Sequence, residues 1–288
     1  MNFMQRKIGI NKGALGLLLP SILWLLIFFV IPIFFILIVS FATRGEVGEV
    51  VYTFSFDNYK RLFDFRYFEI FYKSIIISLS TTLLCLFFGY PFASFAAKAS
   101  GKYRALLMLL IILPFWTNSL IRTYAWIILL RSEGIINSFL LAIGIIKEPL
   151  KLLYTNASVM VGMVYMMFPF MVLPLYTSIE KLEYSLIEAS LDLGASPVKT
   201  FLKIQLPLTM PGIFSGCLLV FVPTLGFFFI PDLMGGSKIV LMSNLIKNQF
   251  LTARDWPFGS AISVVLMIIM VILIAINFKF GGEKGSVM

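Results

Sequence analysis

The sequence predicts an all-α membrane protein with six transmembrane helices in one membrane domain. Of its 288 residues, 60% are hydrophobic and only 13% are charged, and the mean hydropathy is +0.97. A soluble globule of this size would lack the polar residues needed to cover its surface. Six stretches approach or exceed the roughly 20 apolar residues that cross a bilayer core as a helix. They cover about 14–41, 74–97, 105–130, 158–179, 212–230 and 259–278.

The first stretch begins the membrane domain (14–288). It is too long for the apolar region of a signal peptide and lacks a cleavage site, so we expect an uncleaved span. Six spans place both termini on one side of the membrane. The N-terminal segment 1–13 and the loop 98–104 each carry three Lys or Arg residues and no acid. This bias predicts that both are cytoplasmic, so the segments 42–69, 131–157 and 231–258 face outward.

Several kinds of chemistry are excluded by composition. The chain has no histidine, which removes Ser-His-Asp and Cys-His catalysis and the commonest metal ligand. Its two cysteines, Cys85 and Cys217, are too far apart in the sequence to suggest a zinc site. No phosphate-binding G-x4-G-K-[ST] loop is present. We therefore expect no catalytic site, metal or cofactor on this chain. The net charge of +9 reflects membrane topology and lipid contact, and we expect no nucleic-acid partner.

The loop 180–211, expected in the cytoplasm and called the elbow below, is patterned rather than loose. Apolar residues at a 4-3-4 spacing over 182–193 predict an amphipathic helix. Gly194 is suited to end it in a left-handed conformation. One interpretation is a helix lying on lipid. The helix also carries acids, which suit a protein partner better than an anionic lipid surface; they are Glu183, Glu188 and Asp192.

A second helix follows in the elbow. Ser196 before Pro197 is typical of a helix start and predicts a short helix over about 197–204. We expect Pro207 and Pro211 to break the chain before the fifth span begins. The elbow is then a helix, a sharp turn and a second helix.

Seven elbow residues occur at the offsets of a known motif: Glu188, Ala189, Ser190, Gly194, Ile204, Leu206 and Pro207. This pattern resembles the EAA motif, E-A-A-x3-G-x9-I-x-L-P, of permease subunits of ABC importers. The one departure is Ser190 in place of the second alanine. In that family the loop docks as a coupling helix on an ATPase subunit. The resemblance implies the type I ABC importer permease fold and an ATPase-coupling role for these seven residues.

The resemblance covers nearly the whole chain. Five stretches are similar to spermidine/putrescine permeases, and more closely to the first of their two membrane subunits: 114–122, 178–182, 207–212, 232–236 and 254–259. It implies a bacterial inner-membrane protein that translocates polyamines delivered by an extracytoplasmic binding protein. It also implies a second, homologous permease subunit and two ATPase subunits that bind ATP and Mg. The alternatives are another solute (an amino acid, an organophosphonate or an inorganic anion) or a secondary transporter.

One candidate for the substrate path lies at the outer end of the fifth span. A polyamine is a flexible polycation, and carboxylates and aromatic faces attract ammonium groups. Asp232, Phe228 and Phe229 offer both. Phe228 and Asp232 share one helix face if the helix continues past Pro231. The alternative is that Asp232 caps a loop or pairs with Lys238, with the phenylalanines facing lipid.

Three further candidates lie in the third span: Trp116, Asn118 and Arg122. Counted from Ala105, Arg122 lies about 25 Å along a helix, near the outer interface. It is either functional or a side chain that reaches lipid headgroups. Asn118 follows Pro114, which frees a backbone carbonyl, and we expect it to face a pore or a subunit interface. Trp116 belongs to the path or to the lipid-facing belt.

Overall fold

The computed structural model describes residues 12–281. The segments 1–11 and 282–288 lie outside this range, and with them most of the N-terminal segment expected to be cytoplasmic. The helices are α1 Lys12–Leu25, α2 Ile31–Ser40, α3 Asp57–Arg61, α4 Phe65–Lys98, α5 Gly101–Ile112, α6 Ser119–Leu130, α7 Ile135–Ala142, α8 Asn156–Glu180, α9 Tyr184–Asp192, α10 Pro197–Thr200, α11 Leu206–Gly226, α12 Phe229–Gly235, α13 Met242–Leu251 and α14 Trp256–Gly281. Two short strands, β1 Thr43–Arg44 and β2 Val50–Val51, pair antiparallel.

Six segments of the described chain are long and apolar enough to cross a membrane. They are Leu18–Ser40, Phe65–Lys98, Ser119–Ala142, Asn156–Glu180, Pro197–Gly226 and Trp256–Ile276. The all-α class with six spans is therefore confirmed. The bounds differ from the sequence expectation, most clearly in the third and fifth segments, which were expected over 105–130 and 212–230; α4 also begins well before residue 74.

Helix α8 lies at the centre of the core and packs against α4 and α11. The close approach of α8 and α11 depends on Gly212. A Cβ atom at this position would lie 2.4 Å from the Ser178 Cβ and 2.8 Å from the Pro174 carbonyl oxygen. Small residues let membrane helices pack closely where no hydrophobic effect drives them together. This contact fixes the end of α8 and the start of α11, between which the elbow lies.

The third stretch is not one continuous helix, contrary to the span expected over 105–130. Helix α5 ends at Ile112 and passes through a 3-10 turn, Leu113–Trp116, and α6 begins only at Ser119. The extended Asn118 between them accepts a hydrogen bond from the Leu120 N–H at 2.8 Å. Pro114 has no backbone N–H for the hydrogen bonds that would continue α5. The Asn118 side chain accepts a hydrogen bond from a backbone N–H and so begins a new helix as its cap.

The fifth span also differs from expectation, because Pro207 and Pro211 do not break the chain. Helix α10 continues through a π-helical turn, Phe201–Gln205, directly into α11. The extra residue of this turn widens the backbone where the Pro207 ring would otherwise meet a carbonyl. The Thr209 hydroxyl donates to the carbonyl oxygens of Gln205, at 2.9 Å, and Leu206, at 3.1 Å. The elbow is thus rigidly continuous with the fifth span.

Candidate functional site

The turn of the elbow is built by Gly194. Its φ is +80°, in the left-handed region. Its N–H donates to the Leu191 carbonyl at 2.9 Å, and the Ala195 N–H donates to the Ser190 carbonyl at 3.1 Å. These two bonds form the Schellman motif, which satisfies the last carbonyls of a helix and favours glycine at this position. The sequence prediction that Gly194 ends α9 agrees with this geometry.

The two arms of the elbow are joined by a buried pair of hydroxyl groups. The side-chain oxygens of Ser190 on α9 and Thr200 on α10 are 2.8 Å apart, and both residues are buried. The serine that replaces the second alanine of the motif therefore makes a hydrogen bond that alanine cannot make. At the start of α10, the Ser196 hydroxyl accepts from the Lys199 N–H at 3.4 Å, as expected of a helix cap.

The outer surface of the elbow is apolar with acidic residues around it. Leu193 and Val198 are 88% and 66% exposed, and the acids Glu183, at the start of α9, and Glu188 and Asp192, on α9, are also exposed. Clustered exposed apolar side chains with polar neighbours are typical of a protein interaction surface. Of the seven motif residues, Glu188, Ala189, Gly194 and Pro207 are exposed, Ile204 and Leu206 are half-buried, and Ser190 is buried.

At the opposite end of the bundle, the fifth span stops and a short helix follows. Helix α11 ends at Gly226, and α12 starts at Phe229. The Asp232 N–H donates to the Phe228 carbonyl at 3.1 Å, so these residues lie one helical turn apart. Pro231 is accommodated because it lies in the first turn of α12, where a backbone N–H has no acceptor within the helix. Phe228 and Asp232 therefore share a face, but on a new helix rather than on a continued α11.

The Asp232 carboxylate is held by two residues of α13. The Asn244 side-chain amide donates to it at 2.5 Å, and the Lys247 ammonium forms an ion pair with it. The Lys247 Nζ also lies 6.0 Å from the centre of the Phe228 ring. The alternative partner considered from the sequence was Lys238, and the structure pairs Asp232 with Lys247 instead. We call Phe228, Asp232, Asn244 and Lys247 the ammonium site.

Helix α13 is fixed by further side-chain contacts to backbone atoms. The Asn244 amide also donates to the Phe228 carbonyl, and the Ser243 hydroxyl donates to the Phe227 carbonyl, each at 2.7 Å. The Met242 N–H donates to the Ser74 hydroxyl of α4 at 2.9 Å. These bonds satisfy backbone groups where α11 ends, so Asp232, Asn244 and Lys247 have a defined arrangement.

Sequence reasoning missed Asn244 and Lys247. The segment 231–258 reads as a mixed polar and aromatic loop, and α13 within it was not expected. The available signal was local: Asn244 and Lys247 are three residues apart, a spacing that places two side chains on one helix face. The sequence alone gives no reason to place that face against Asp232.

Phe229, Trp116 and Asn118 lie in different surroundings. Phe229 is half-buried against the core and borders the ammonium site, with its ring centre 5.2 Å from that of Phe227 and 6.1 Å from that of Phe228. Trp116 is 76% exposed, and Asn118 serves as the cap of α6. Within residues 12–281, no hydrogen bond, ion pair or ring contact joins Trp116 or Asn118 to the ammonium site. Their assignment to the path stays a prediction.

Arg122 lies in the first turn of α6 rather than near the end of one straight helix over 105–130. Helix α6 continues for eight residues beyond it, to Leu130, or about 12 Å. The centre of its guanidinium lies 5.6 Å from the Phe115 ring centre and 6.0 Å from that of Tyr165. Its Nε is buried and makes no hydrogen bond among the described residues. These contacts are cation–π in character, and among the described residues no contact of this kind joins Arg122 to the ammonium site.

The described residues contain no group of three or more His, Cys, Asp or Glu side chains that could hold a metal. The expectation that this chain binds no metal stays a prediction. What the described side chains offer is an interaction surface at the elbow and a charged cluster at the opposite end.

Comparison with known proteins confirms the resemblance carried by the elbow motif. Residues 89–280 match the family described as binding-protein-dependent transport system inner membrane component. The spermidine/putrescine transport system permease protein PotB of Escherichia coli (strain K12) is 50% identical over 256 residues, covering 89% of this chain and 93% of that protein. The protein of that name from Haemophilus influenzae is 45% identical over 256 residues, covering 89% and 90%.

A solved structure shows the same fold at low sequence identity. It is a crystal structure of a bacterial ABC transporter involved in import of the acidic polysaccharide alginate. One of its chains superposes with a TM-score of 0.71 at 19% identity, over 96% of both chains. The same type of fold is found in the complex of an alginate transporter with its periplasmic protein, with a TM-score of 0.73 at 18% identity.

The family match and the curated relatives together cover most of the chain, and the relatives are permease proteins. The six apolar helical segments agree with a multi-pass protein of the bacterial inner membrane. The chain therefore belongs to the binding-protein-dependent transport system inner membrane components, the membrane-spanning permeases of ABC importers.

Proposed function

We propose that this chain is a permease subunit of an ATP-driven importer of polyamines such as spermidine and putrescine. Relatives at 45–50% identity over 89% of the chain are named as spermidine/putrescine permeases. The single observation that carries the proposal is the ammonium site. There a carboxylate and an aromatic ring already surround the primary ammonium of Lys247, the same chemical group that ends a polyamine.

A permease of this family works with a substrate-binding protein and an ATPase. In the proposed complex the elbow and both termini face the cytoplasm. Two ATPase subunits bind ATP and Mg, and one of them docks on the elbow. Leu193 and Val198 enter its surface, and the acids around them set the orientation. A second, homologous permease subunit completes the pore, and an extracytoplasmic binding protein delivers the cargo to the opposite end.

The rigid link between the elbow and the fifth span supplies the coupling in this proposal. Helix α10 runs through the π-turn into α11 without a break, so a displacement of the elbow moves the elbow end of α11. Phe227 and Phe228 directly follow the far end of α11, and their carbonyl groups accept hydrogen bonds from α13. Closure of the ATPases on ATP is thereby transmitted to the ammonium site, and no covalent chemistry takes place on this chain.

Asp232 is the proposed carboxylate of the substrate path, with Phe228 as its aromatic neighbour. The substitution Asp232→Asn removes the negative charge and keeps the shape of the side chain. A hydrogen bond to a charged group contributes about 1.5–3 kcal/mol, and each 1.4 kcal/mol is about tenfold in affinity. We expect spermidine uptake by cells or proteoliposomes to fall at least about tenfold, with normal co-purification of the ATPase.

The matched control is Asp57→Asn. Asp57 is an exposed acid on α3 whose ion pair with Lys60 lies at the surface, where such pairs contribute little. Uptake by this variant should equal that of the unmodified complex. Undiminished uptake by Asp232→Asn would remove Asp232 from the path.

An anionic cargo is the second candidate, and Arg122 is the observation that favours it. An intramembrane arginine is a functional candidate by default, and its Nε is buried without a hydrogen bond among the described residues. The ligand of the partner binding protein distinguishes the candidates. Binding of spermidine but not of phosphate or an organophosphonate supports the polyamine proposal, and the reverse pattern contradicts it.

A further inference from the structure

We propose that Lys247 is a built-in counter-ion that occupies the cargo position of the ammonium site in the resting complex, and that an ammonium group of the incoming cargo displaces it. This inference rests on the proposed function, because it assumes a cargo with primary ammonium groups. It assigns Lys247 a role that neither the sequence motif nor the relatives assign.

The Lys247 side chain and a polyamine end in the same chemical group. The lysine side chain ends in a primary ammonium on a four-carbon stem, and a polyamine ends in a primary ammonium on an alkyl chain. The Lys247 ammonium is paired with Asp232 and lies 6.0 Å from the Phe228 ring centre. These are the two kinds of contact that an ammonium cargo requires. The chain's own lysine therefore already uses what the site can offer.

The exchange of the Lys247 ammonium for a cargo ammonium conserves charge at Asp232. If Lys247 moved away without a replacement, the partly buried Asp232 carboxylate would lose its counter-ion, which is unfavourable. If a cargo ammonium takes its place, Asp232 is never unpaired. The Asn244 amide donates to Asp232 and to the Phe228 carbonyl, so it holds the carboxylate in place while one cation replaces the other.

The Asp232–Lys247 ion pair is accessible from solvent. The side chains of Lys247 and Asp232 are 30% and 32% exposed, so water and a narrow alkyl cation can reach the pair. The lysine stem is flexible and its ammonium is strongly hydrated, which lets the side chain move to solvent. Among the described residues, Lys247 forms its ion pair with Asp232 alone, so no second acid retains it near the site.

A built-in competitor has a consequence for transport. The apparent affinity of a site for its cargo is its intrinsic affinity multiplied by the fraction of time that the site is free. Lys247 therefore keeps the ammonium site weak for cargo, which favours release after translocation. It also restricts the site to solutes that can replace an ammonium, so an anion or a neutral solute does not displace it.

The test uses zero-length cross-linking of the purified, unmodified complex in lipid nanodiscs. A water-soluble carbodiimide joins a carboxylate to an adjacent amine as an amide, and the reagent takes up the released water as a urea. Without cargo, mass spectrometry should find an amide between the peptides of Asp232 and Lys247. With saturating spermidine this product should fall at least about fivefold, and a spermidine amide should appear on Asp232. An unchanged cross-link, in a complex that transports spermidine, would overturn the inference.

A pair of variants provides an independent measurement. Lys247→Met removes the ammonium and keeps an unbranched chain. We expect the dissociation constant of spermidine for the complex without its binding protein to fall at least about fivefold. The control is Lys238→Met, an exposed lysine that forms no ion pair among the described residues, and its constant should not change. An unchanged or higher constant for Lys247→Met contradicts the inference.

Failure of this inference differs from failure of the proposed function. If the unmodified complex imports no spermidine in the presence of its binding protein, the proposed function itself is wrong. If it imports spermidine while Lys247 stays linked to Asp232 at the same yield, only the counter-ion role is wrong.

Discussion

The elbow and the α12–α13 segment lie at opposite ends of the bundle and are stabilised in contrasting ways. The turn of the elbow, between α9 and α10, depends on local bonds: the Gly194 turn and one buried hydroxyl pair, Ser190 with Thr200. Its apolar side chains stay exposed. The α12–α13 segment is held by side-chain bonds between distant parts of the chain, from Asn244 and Ser243 to the carbonyls that follow α11.

This difference separates the two tasks of the permease. An exposed apolar surface with a fixed shape is incomplete until a partner covers it. A charged cluster whose members bind one another is complete within the chain. Damage to the elbow should therefore appear first as lost assembly with the ATPase. Damage to the α12–α13 segment should appear as lost transport or lost stability of this subunit.

The largest expected effect is that of Gly194→Pro. Proline fixes φ near −65°, whereas Gly194 has a φ of +80°, and the substitution also removes the N–H that donates to Leu191. We expect the yield of co-purified ATPase to fall at least about tenfold, which corresponds to about 1.4 kcal/mol of binding free energy. Co-purification through an affinity tag on this subunit measures it.

The control at the same position is Gly194→Asn. No atom lies within 4 Å of a Cβ at this site, and asparagine tolerates the left-handed region better than most residues. ATPase co-purification should stay within about twofold of the unmodified complex, a limit set by the modest strain of a left-handed asparagine. Equal losses with Pro and Asn would show that the turn conformation is not what matters.

The next effect in size is that of Asn244→Leu in the α12–α13 segment. The change removes the donors to Asp232 and to the Phe228 carbonyl. Leaving a buried polar group without its partner costs about 1–3 kcal/mol. We expect a lower midpoint of thermal unfolding for the purified subunit. Asn248→Leu serves as the control, because the Asn248 side chain makes no hydrogen bond among the described residues; equal shifts for the two variants would refute the role of Asn244.

The smallest effect concerns the hydroxyl pair of the elbow. Ser190→Ala and Thr200→Val each leave one buried hydroxyl without its partner, and a hydrogen bond of this kind contributes about 1 kcal/mol. The double variant removes both groups, so its loss of ATPase affinity should be less than the sum of the single losses. Strictly additive losses would show that the pair does not join the two arms.

The two regions also differ in how far the sequence predicts them. The turn of the elbow is governed by neighbours in the chain, so Gly194, Ser196 and the amphipathic spacing indicate its shape. The error there came from Pro207, because a π-turn upstream accommodates a proline that would end an ordinary helix.

The ammonium site could be predicted only in part. Phe228 and Asp232 are four residues apart and belong to one helical turn, which the spacing indicates. Their partners Asn244 and Lys247 come from another helix, and Ser74, which binds α13, is 168 residues from Met242. Contacts over such separations depend on how helices pack, and the hydropathy of a single sequence does not determine that packing.

We assign ATPase coupling to the elbow and cargo binding to the ammonium site. The most direct test of this assignment is the amount of spermidine transported per ATP hydrolysed. It is measured for the complete complex in proteoliposomes, with Asp232→Asn compared with the unmodified protein. We expect ATP hydrolysis to persist, because the elbow is intact, while the ratio falls at least about tenfold, in line with the loss of a charged contact. An unchanged ratio, or a complex that hydrolyses no ATP, would contradict the assignment of coupling to the elbow and of cargo to the ammonium site.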